Sequence, residues 1–287
     1  MKILVTGSNG QLGNCLKTLS AQHTAHQFVF MDRDGFSLTD PVMMDKVLEA
    51  EMPAIVFNCA AYTAVDKAEH EAEMAFAVNA SGPGQLAYLC NQKNIRLIHI
   101  STDYVFDGLS KKPYTEEDQA NPIGVYGKSK LLGEQNVLQS NPEALIIRTS
   151  WVFSPFGKNF VKTMINLMHS RDSISVVNDQ YGRPTYAMDL GAALINIAEK
   201  KAWLPGVYHF CNAGSITWFE FAGEIARQIH SKCAIRPIST AEFPTPAKRP
   251  AYSVLNTEKI SETFDLDLPG WKDGLVDCIE RINSIKN

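Results

Sequence analysis

Tyr126 and Lys130 stand four residues apart in the pentapeptide Tyr126-Gly127-Lys128-Ser129-Lys130, just after a turn. On a helix that spacing puts a phenol and an ammonium on one face, pointing into one cleft. Neither transfers protons well at neutral pH alone, since a phenol titrates near pH ~10 and a lysine near ~10.4. Held together, the ammonium favours the phenolate and is expected to draw the tyrosine down towards the working pH. Such a pair suits moving a proton on or off a sugar oxygen while a hydride moves at the attached carbon. Upstream, the apolar run Leu97-Ile98-His99-Ile100 delivers Ser101 and Thr102 at its end, and the Thr102 hydroxyl completes a Thr/Tyr/Lys set. Tyr-x-x-x-Lys is common in helices, so the rest of the chain must decide its meaning.

A second chemical feature opens the chain. Thr6-Gly7-Ser8-Asn9-Gly10-Gln11-Leu12-Gly13 follows an Ile-Leu-Val run and precedes a helical pattern starting near Gln11. Glycines at 7, 10 and 13 allow a tight turn, close backbone approach to a pyrophosphate and close packing of helix on strand. The helix N-terminus adds unpaired N–H groups and partial positive charge. Gly7, Asn9, Gly10, Gln11, Leu12 and Gly13 are therefore candidate dinucleotide contacts. The second apolar run ends at Met31-Asp32-Arg33. Asp32 can accept from adenosine ribose hydroxyls, whereas Arg33 can meet a 2′-phosphate, which leaves both NADPH and NADH open.

These groups need a scaffold. Short apolar runs at Lys2–Thr6, Phe28–Met31, Ile55–Asn58, Leu97–Ser101 and Ala144–Thr149 are separated by helical stretches. That alternation predicts an α/β fold, a Rossmann-like doubly wound parallel sheet with ligands at the carboxyl ends of its strands. After Trp151 the pattern loosens into helices near 159–169 and 189–200, a strand at 174–177, and a final helix around 271–285. This half is expected to form a smaller α/β cap. The anticipated division is 1–150 plus about 173–200 for the cofactor domain, and 151–172 plus about 201–287 for the substrate domain.

Composition excludes several classes. The chain has 287 residues with 27 basic and 31 acidic side chains, a net charge of -4. That argues against a general nucleic-acid or membrane-surface binder. No apolar run reaches the ~18–20 residues of a membrane span, and Met1–Val5 begins a strand rather than a signal peptide. The six cysteines make no Cys-x-x-Cys, and the expectation is reduced thiols in a cytosol. No histidine spacing suggests a metal site; His23 and His26 fall in a polar connection.

With the glycine loop, the Thr/Tyr/Lys set resembles the extended short-chain dehydrogenase/reductases. Further segments are similar to the dTDP-4-dehydrorhamnose reductase family within that group: Ser101–Gly108, Val125–Lys130, Arg148–Val152, Asn178-Asp179-Gln180-Tyr181-Gly182-Arg183-Pro184-Thr185, and Pro244–Pro250. The resemblance runs nearly end to end. It implies reduction of the 4-keto group of dTDP-6-deoxy-L-lyxo-4-hexulose by NADPH or NADH, giving dTDP-L-rhamnose. In that scheme Tyr126 donates the proton, while Lys130 lowers its pKa and hydrogen-bonds the nicotinamide ribose. Thr102 holds the reacting oxygen or the tyrosine. Ala60, Ala61 and Thr63 form a cofactor-lining turn, with Ser101 beside it. Asp103 would hold a sugar hydroxyl and Trp151 would pack on the sugar.

Each assignment has a plainer counterpart. Asp103 can form an Asx turn, Trp151 can be a core aromatic, and Asn159 can be an N-cap. Arg249, between prolines, can be a surface charge, although a guanidinium suits a sugar-nucleotide diphosphate. Dehydratases of this fold resemble the chain but carry an Asp-Glu pair after the threonine, where this chain has Asp103-Tyr104. A 4-epimerase uses the same triad, and a non-catalytic regulatory subunit of methionine adenosyltransferase shares the fold. Some relatives dimerise through a metal held partly by an early helix glutamate; Cys15 stands near that point. No metal is therefore expected, and the chain is expected to be a monomer or homodimer.

Overall fold

The computed structural model describes residues 1–286. In the first half, strands β1 (Lys2–Thr6), β2 (Gln27–Phe30), β3 (Ile55–Asn58), β4 (Arg96–Thr102) and β5 (Leu145–Thr149) alternate with helices. Those helices are α1 (Gln11–Ser20), α2 (Pro41–Glu51), the short α3 (Val65–Ala68) and α4 (Ala72–Phe76), α5 (Gly82–Gln92) and α6 (Val125–Ser140). The second half contributes strands β6 (Val152–Phe153), β7 (Ser173–Val177), β8 (Tyr181–Gly182), β9 (Thr185–Tyr186), β10 (Gly206–His209), β11 (Ile216–Thr217) and β12 (Ala234–Ile238). Its helices are α7 (Phe160–Ser170), α8 (Ala187–Glu199), α9 (Trp218–Gln228), α10 (Glu258–Phe264) and α11 (Trp271–Lys286).

Six parallel strands make the main sheet in the order β10-β5-β4-β3-β1-β2. Residues alternate between its faces, as strand geometry requires. Ile3, Val5, Ile55, Phe57, Ile98, Leu145 and Ile147 pack in one core with α1, α7 and α8. Leu4, Val56, Leu97 and Ile146 point the other way into a core with α2, α5 and α6. Both faces are covered, which is why these strands read as continuous apolar runs. From β1 the chain winds outward to β2 and then returns to β3 on the opposite side of β1. The winding reverses at β1/β3, and a doubly wound sheet opens its ligand crevice there.

Strand pairing departs from the expected division in two places. Strand β7, anticipated with the cofactor sheet, pairs in parallel with β12 in a separate two-stranded sheet. Strand β10, anticipated in the cap, extends the main sheet beside β5. The reason is burial: β10 follows α8 and sets Tyr208 and His209 in the interior, whereas β7 alternates exposed Ser173 and Ser175 with buried Ile174 and Val176. That alternation marks a strand covered on one face only. Two further short pairs, β6 with β9 and β8 with β11, shape the cap near the sheet's carboxyl end.

Candidate active site

The strands open into one cleft of about 980 Å³, walled by the loops after β1, β2, β3, β4 and β5 and by the first turns of α6. Gly7, Asn9, Gly10, Gln11 and Leu12 line it from the phosphate loop, Asp32 and Arg33 from the end of β2, and Ala60, Ala61 and Thr63 from the turn after β3. Ser101, Thr102, Asp103, Tyr126, Lys130 and Trp151 complete the wall. Three of the residues anticipated from the sequence, Gly13, Asn159 and Arg249, are not on it.

The loop's glycines are required by sterics. Gly7 sits at φ +63, and a Cβ there would come within 2.7 Å of the Ala60 nitrogen. Gly13 lies under the loop, where a Cβ would fall 2.5 Å from the Gly7 carbonyl oxygen, so its part is to let the helix pack closely on the loop backbone. Helix α1 starts with Gly10 as N-cap and no side chain bonding its first amides. Those amides are available to an anion, with the helix dipole behind them. Asp32 accepts from the Gly35 and Asp34 amides at 3.1 and 3.2 Å and from Asn9 Nδ2 at 3.1 Å. The Gly35 bond is the main cause holding its carboxyl below the usual range. The turn after β3 is set by Asn79, which accepts from the Tyr62 amide and donates to the Tyr62 carbonyl and to Ser129 of α6.

Tyr126 and Lys130 do share a face of α6, but their electrostatics differ from the sequence expectation. Lys130 Nζ is held on β4, donating to the Ile100 carbonyl at 2.7 Å and lying 3.4 Å from His99 Nε2. Burial pushes Lys130 down to about 8, with Glu134 and Cys59 acting against it. Burial pushes the Tyr126 phenol up to about 12, opposed by its hydrogen bond with Thr102 and reinforced by the Asp103 charge. The lysine is not among the groups that shift the tyrosine. Desolvation wins over the anticipated ammonium effect because Nζ is tied to the strand.

The neighbours are equally specific. Thr102 Oγ1 donates to Asp103 Oδ1 at 3.1 Å and accepts from the Tyr104 amide at 3.2 Å, capping a short 3₁₀ turn. Asp103 is 2 % exposed, its Oδ2 has no hydrogen-bond partner, and burial raises its carboxyl to about 6. Tyr126 meets Tyr104 edge to face at 5.5 Å between centroids. Ser101 donates to Glu134 at 2.5 Å, and Glu134 is clamped by Arg148 through bonds of 2.7 and 3.0 Å. The Ser101 side chain thus serves this buried ion pair. Trp151 adopts φ 48 and stacks on Trp218 at 3.5 Å, with Gly182 packed against its ring. It is a wall residue rather than a core aromatic.

Two anticipated ligand contacts are structural. Asn159 is buried and caps α7, accepting from the Lys162 amide at 3.1 Å and donating to Gln11 Oε1 at 2.9 Å and to the Ser154 carbonyl at 2.8 Å. Its whole amide is used there. Arg249 forms a two-pronged pair with Asp66, at 2.9 and 3.2 Å, outside the cleft wall. Residues not anticipated are His99, Asn58, Cys59 and Trp218. The sequence hint for His99 was a single ionisable residue inside the apolar run Leu97–Ile100. Among the described residues no group of three or more His, Cys, Asp or Glu side chains is placed to hold a metal ion.

Comparison with known proteins fits this geometry. The family described as "RmlD substrate binding domain" matches residues 1–284. The chain belongs to that family. It is 41% identical over 286 residues to a dTDP-4-dehydrorhamnose reductase of Sinorhizobium fredii, covering 95% of each chain. Among solved structures it is similar to a dTDP-4-dehydrorhamnose reductase of Clostridium acetobutylicum, with a TM-score of 0.94, 40% identity and coverage of 99% and 100% of the two chains. A Bacillus anthracis dTDP-4-dehydrorhamnose reductase solved in complex with NADP gives a TM-score of 0.93 at 38% identity, covering 98% and 99%. Family membership spans both the sheet and the cap, so the Trp151/Trp218 wall is inside the matched region as much as the glycine loop is.

Proposed function

We propose that this chain is an NADPH-dependent oxidoreductase that reduces the 4-keto group of dTDP-6-deoxy-L-lyxo-4-hexulose to dTDP-L-rhamnose. One juxtaposition carries the reading: a dinucleotide cradle and a phenol–threonine–carboxyl cluster share a single cleft, with Tyr104 where a dehydratase would need a second carboxylate. The cradle fits a dinucleotide because Gly7 and Gly10 leave backbone exposed, α1 offers uncapped amides, and both Asp32 and Arg33 face the adenosine end. The similar enzyme from Bacillus anthracis is complexed with NADP, which favours NADPH and gives Arg33 the 2′-phosphate.

When bound, NADPH supplies the hydride. The chain's residues do the rest. Tyr126, with its phenol raised to about 12, is protonated throughout the neutral range and gives that proton to the developing alkoxide. Thr102 orients the reacting oxygen or the phenol, and Lys130 holds the nicotinamide ribose. Asp103 offers its unpartnered Oδ2 to a sugar hydroxyl, and Trp151, locked on Trp218, packs on the sugar ring. Residues 151–186, which include β6 to β9, and the chain beyond β10 shape the sugar-nucleotide side. Its six cysteines are all free, which suits a cytoplasmic enzyme, acting as a monomer or homodimer.

The test is stoichiometric. Following NADPH absorbance with the 4-ketosugar nucleotide should show one NADPH consumed per sugar reduced. Sugar isomerisation without net cofactor change would replace the reading with an epimerase. No turnover, with a stable complex to a partner enzyme, would replace it with a binding subunit.

A further inference from the structure

Helix α6 carries Tyr126 and Lys130, yet nothing in its own sequence caps it. Its N-cap is Gly124, in extended backbone, with no side chain to accept from the first amides, and no acidic residue falls in its first turn. Tyr126 is the second residue of that turn. The end of a helix most prone to fray must therefore hold a reacting group steady.

The missing cap comes from elsewhere in the chain. Glu69, which closes α3, accepts from the Val125 amide at 2.9 Å through Oε1. Position 124 leaves no room for a cap of its own, because a Cβ there would fall 2.9 Å from that same Glu69 oxygen. Further along the turn, Gly127 presses on the Tyr104 carbonyl so closely that no Cβ fits. Tyr126 thus sits between two fixed points, an amide held by Glu69 and a glycine seated on the turn after β4.

Glu69 is itself held. Asp66, three residues earlier, takes the Arg249 guanidinium at 2.9 and 3.2 Å and accepts from the Ala247 amide at 3.2 Å. A half-exposed pair of this kind adds little stability, but its two-pronged geometry fixes the direction of α3. The deeper part of α6 has separate anchors: Lys130 Nζ donates to the Ile100 carbonyl at 2.7 Å, and Ser129 accepts from Asn79 at 3.1 Å. Loss of the cap would be felt by the first turn and not by the lysine beyond it. Glu69 is not on the cleft wall, so it acts through the helix and not on a ligand.

We propose that Glu69 is a positioning residue: by capping α6 from α3 it fixes the Tyr126 phenol for proton transfer. The inference rests on the reductase reading, in which Tyr126 gives its proton to the alkoxide.

The test uses the full-length enzyme with NADPH and the 4-ketosugar nucleotide. Glu69→Ala should lower kcat by about 10-fold, because a small displacement of a reacting group is enough for that, while NADPH affinity and the sugar KM stay within about two-fold. The solvent deuterium isotope effect on kcat should rise, since proton transfer becomes the slower step. Glu69→Gln keeps an accepting oxygen at the same reach and should restore kcat to within about two-fold of the parent. Glu69→Asp keeps the carboxyl but is one methylene short, and should behave like the alanine variant. In the ligand-free protein, the Val125 amide should exchange its hydrogen about 10-fold faster in the alanine and aspartate variants than in the parent or the glutamine variant. An unchanged kcat in Glu69→Ala, a glutamine variant as slow as the alanine one, an aspartate variant as fast as the parent, or a parallel loss of NADPH affinity would overturn the proposal. Should Glu69→Ala fail to fold, the contrast between glutamine and aspartate decides. A parent that consumes no NADPH while Glu69 still protects the Val125 amide removes the reductase reading alone. Full turnover in Glu69→Ala removes this proposal alone.

Discussion

The two halves of the cleft are built from different materials. The phosphate cradle is backbone: glycine dihedrals, uncapped helix amides and close approaches of main chain to main chain. The pocket proposed for proton transfer is side chain: a phenol, two carboxyls, a lysine, an imidazole and a guanidinium, all but the phenol almost wholly removed from water. A backbone site depends on a few residue types at fixed spacing. A pocket of buried titratable groups depends on which neighbour each one finds, because burial and pairing act on pKa with opposite signs.

The comparison can be broken most sharply at Tyr126. With Tyr126 as the proposed proton donor, Tyr126→Phe leaves the cradle untouched, so turnover should fall roughly 10²–10⁴-fold while NADPH affinity is unchanged. Steady-state rates beside a fluorescence titration of NADPH check this; activity within a few-fold of the parent removes Tyr126 from the mechanism. Next in size is the buried pair. Glu134→Leu strands Arg148 without its carboxylate and should cost about 3–5 kcal/mol of stability, measured by urea unfolding. A loss below 1 kcal/mol would show that water or another acceptor reaches the guanidinium.

Asp103 gives a pH-dependent arm. Its folded pKa of about 6 lies above the unfolded value, so the folded state holds the extra proton. The sign follows: the contribution is fully present below pH ~4 and disappears as pH rises through about 6. Asp103→Asn should leave stability unchanged at pH ~4 and raise it by about 2–3 kcal/mol at pH ~8. Equal effects at both pH values would mean that Asp103 finds a compensating partner. The smallest effect belongs to the backbone side. Gly7→Ala imposes a positive φ on a Cβ that meets main-chain atoms, a strain of about 1–3 kcal/mol. NADPH affinity should drop by about 10- to 100-fold, with turnover at saturating NADPH nearly kept; unaltered affinity would mean the loop has slack that the geometry denies.

Much of this was legible in the chain itself. Ile3-Leu4-Val5 followed by Gly7, Gly10 and Gly13 announces strand, turn and helix, because few other residues satisfy those dihedrals and approaches. The run Leu97–Ser101 and the i, i+4 pair after a turn anticipate for the same local reasons that Thr102 closes a strand and Tyr126 opens a helix. Assignments failed where a side chain had a choice of partner. Arg249 is a sensible phosphate ligand in isolation, yet Asp66, 183 residues away in sequence, takes its guanidinium. Asn159 closes on Lys162 and Gln11 instead of a sugar. Strand β10 joined the main sheet although its segment follows the cap's first elements in sequence, because pairing partners are decided in space.

By itself the sequence determined what repeats locally: the alternation of strands and helices, the glycine cradle, and the i, i+4 geometry of Tyr126 and Lys130. These follow from sterics and periodicity within a few residues. Only the tertiary structure decided the charges. It seated Lys130 on Ile100 and His99, set Tyr126 beside Thr102 and Asp103, and placed Trp151 on Trp218. Desolvation and pairing are sums over all neighbours, and most of those neighbours are far apart in the chain.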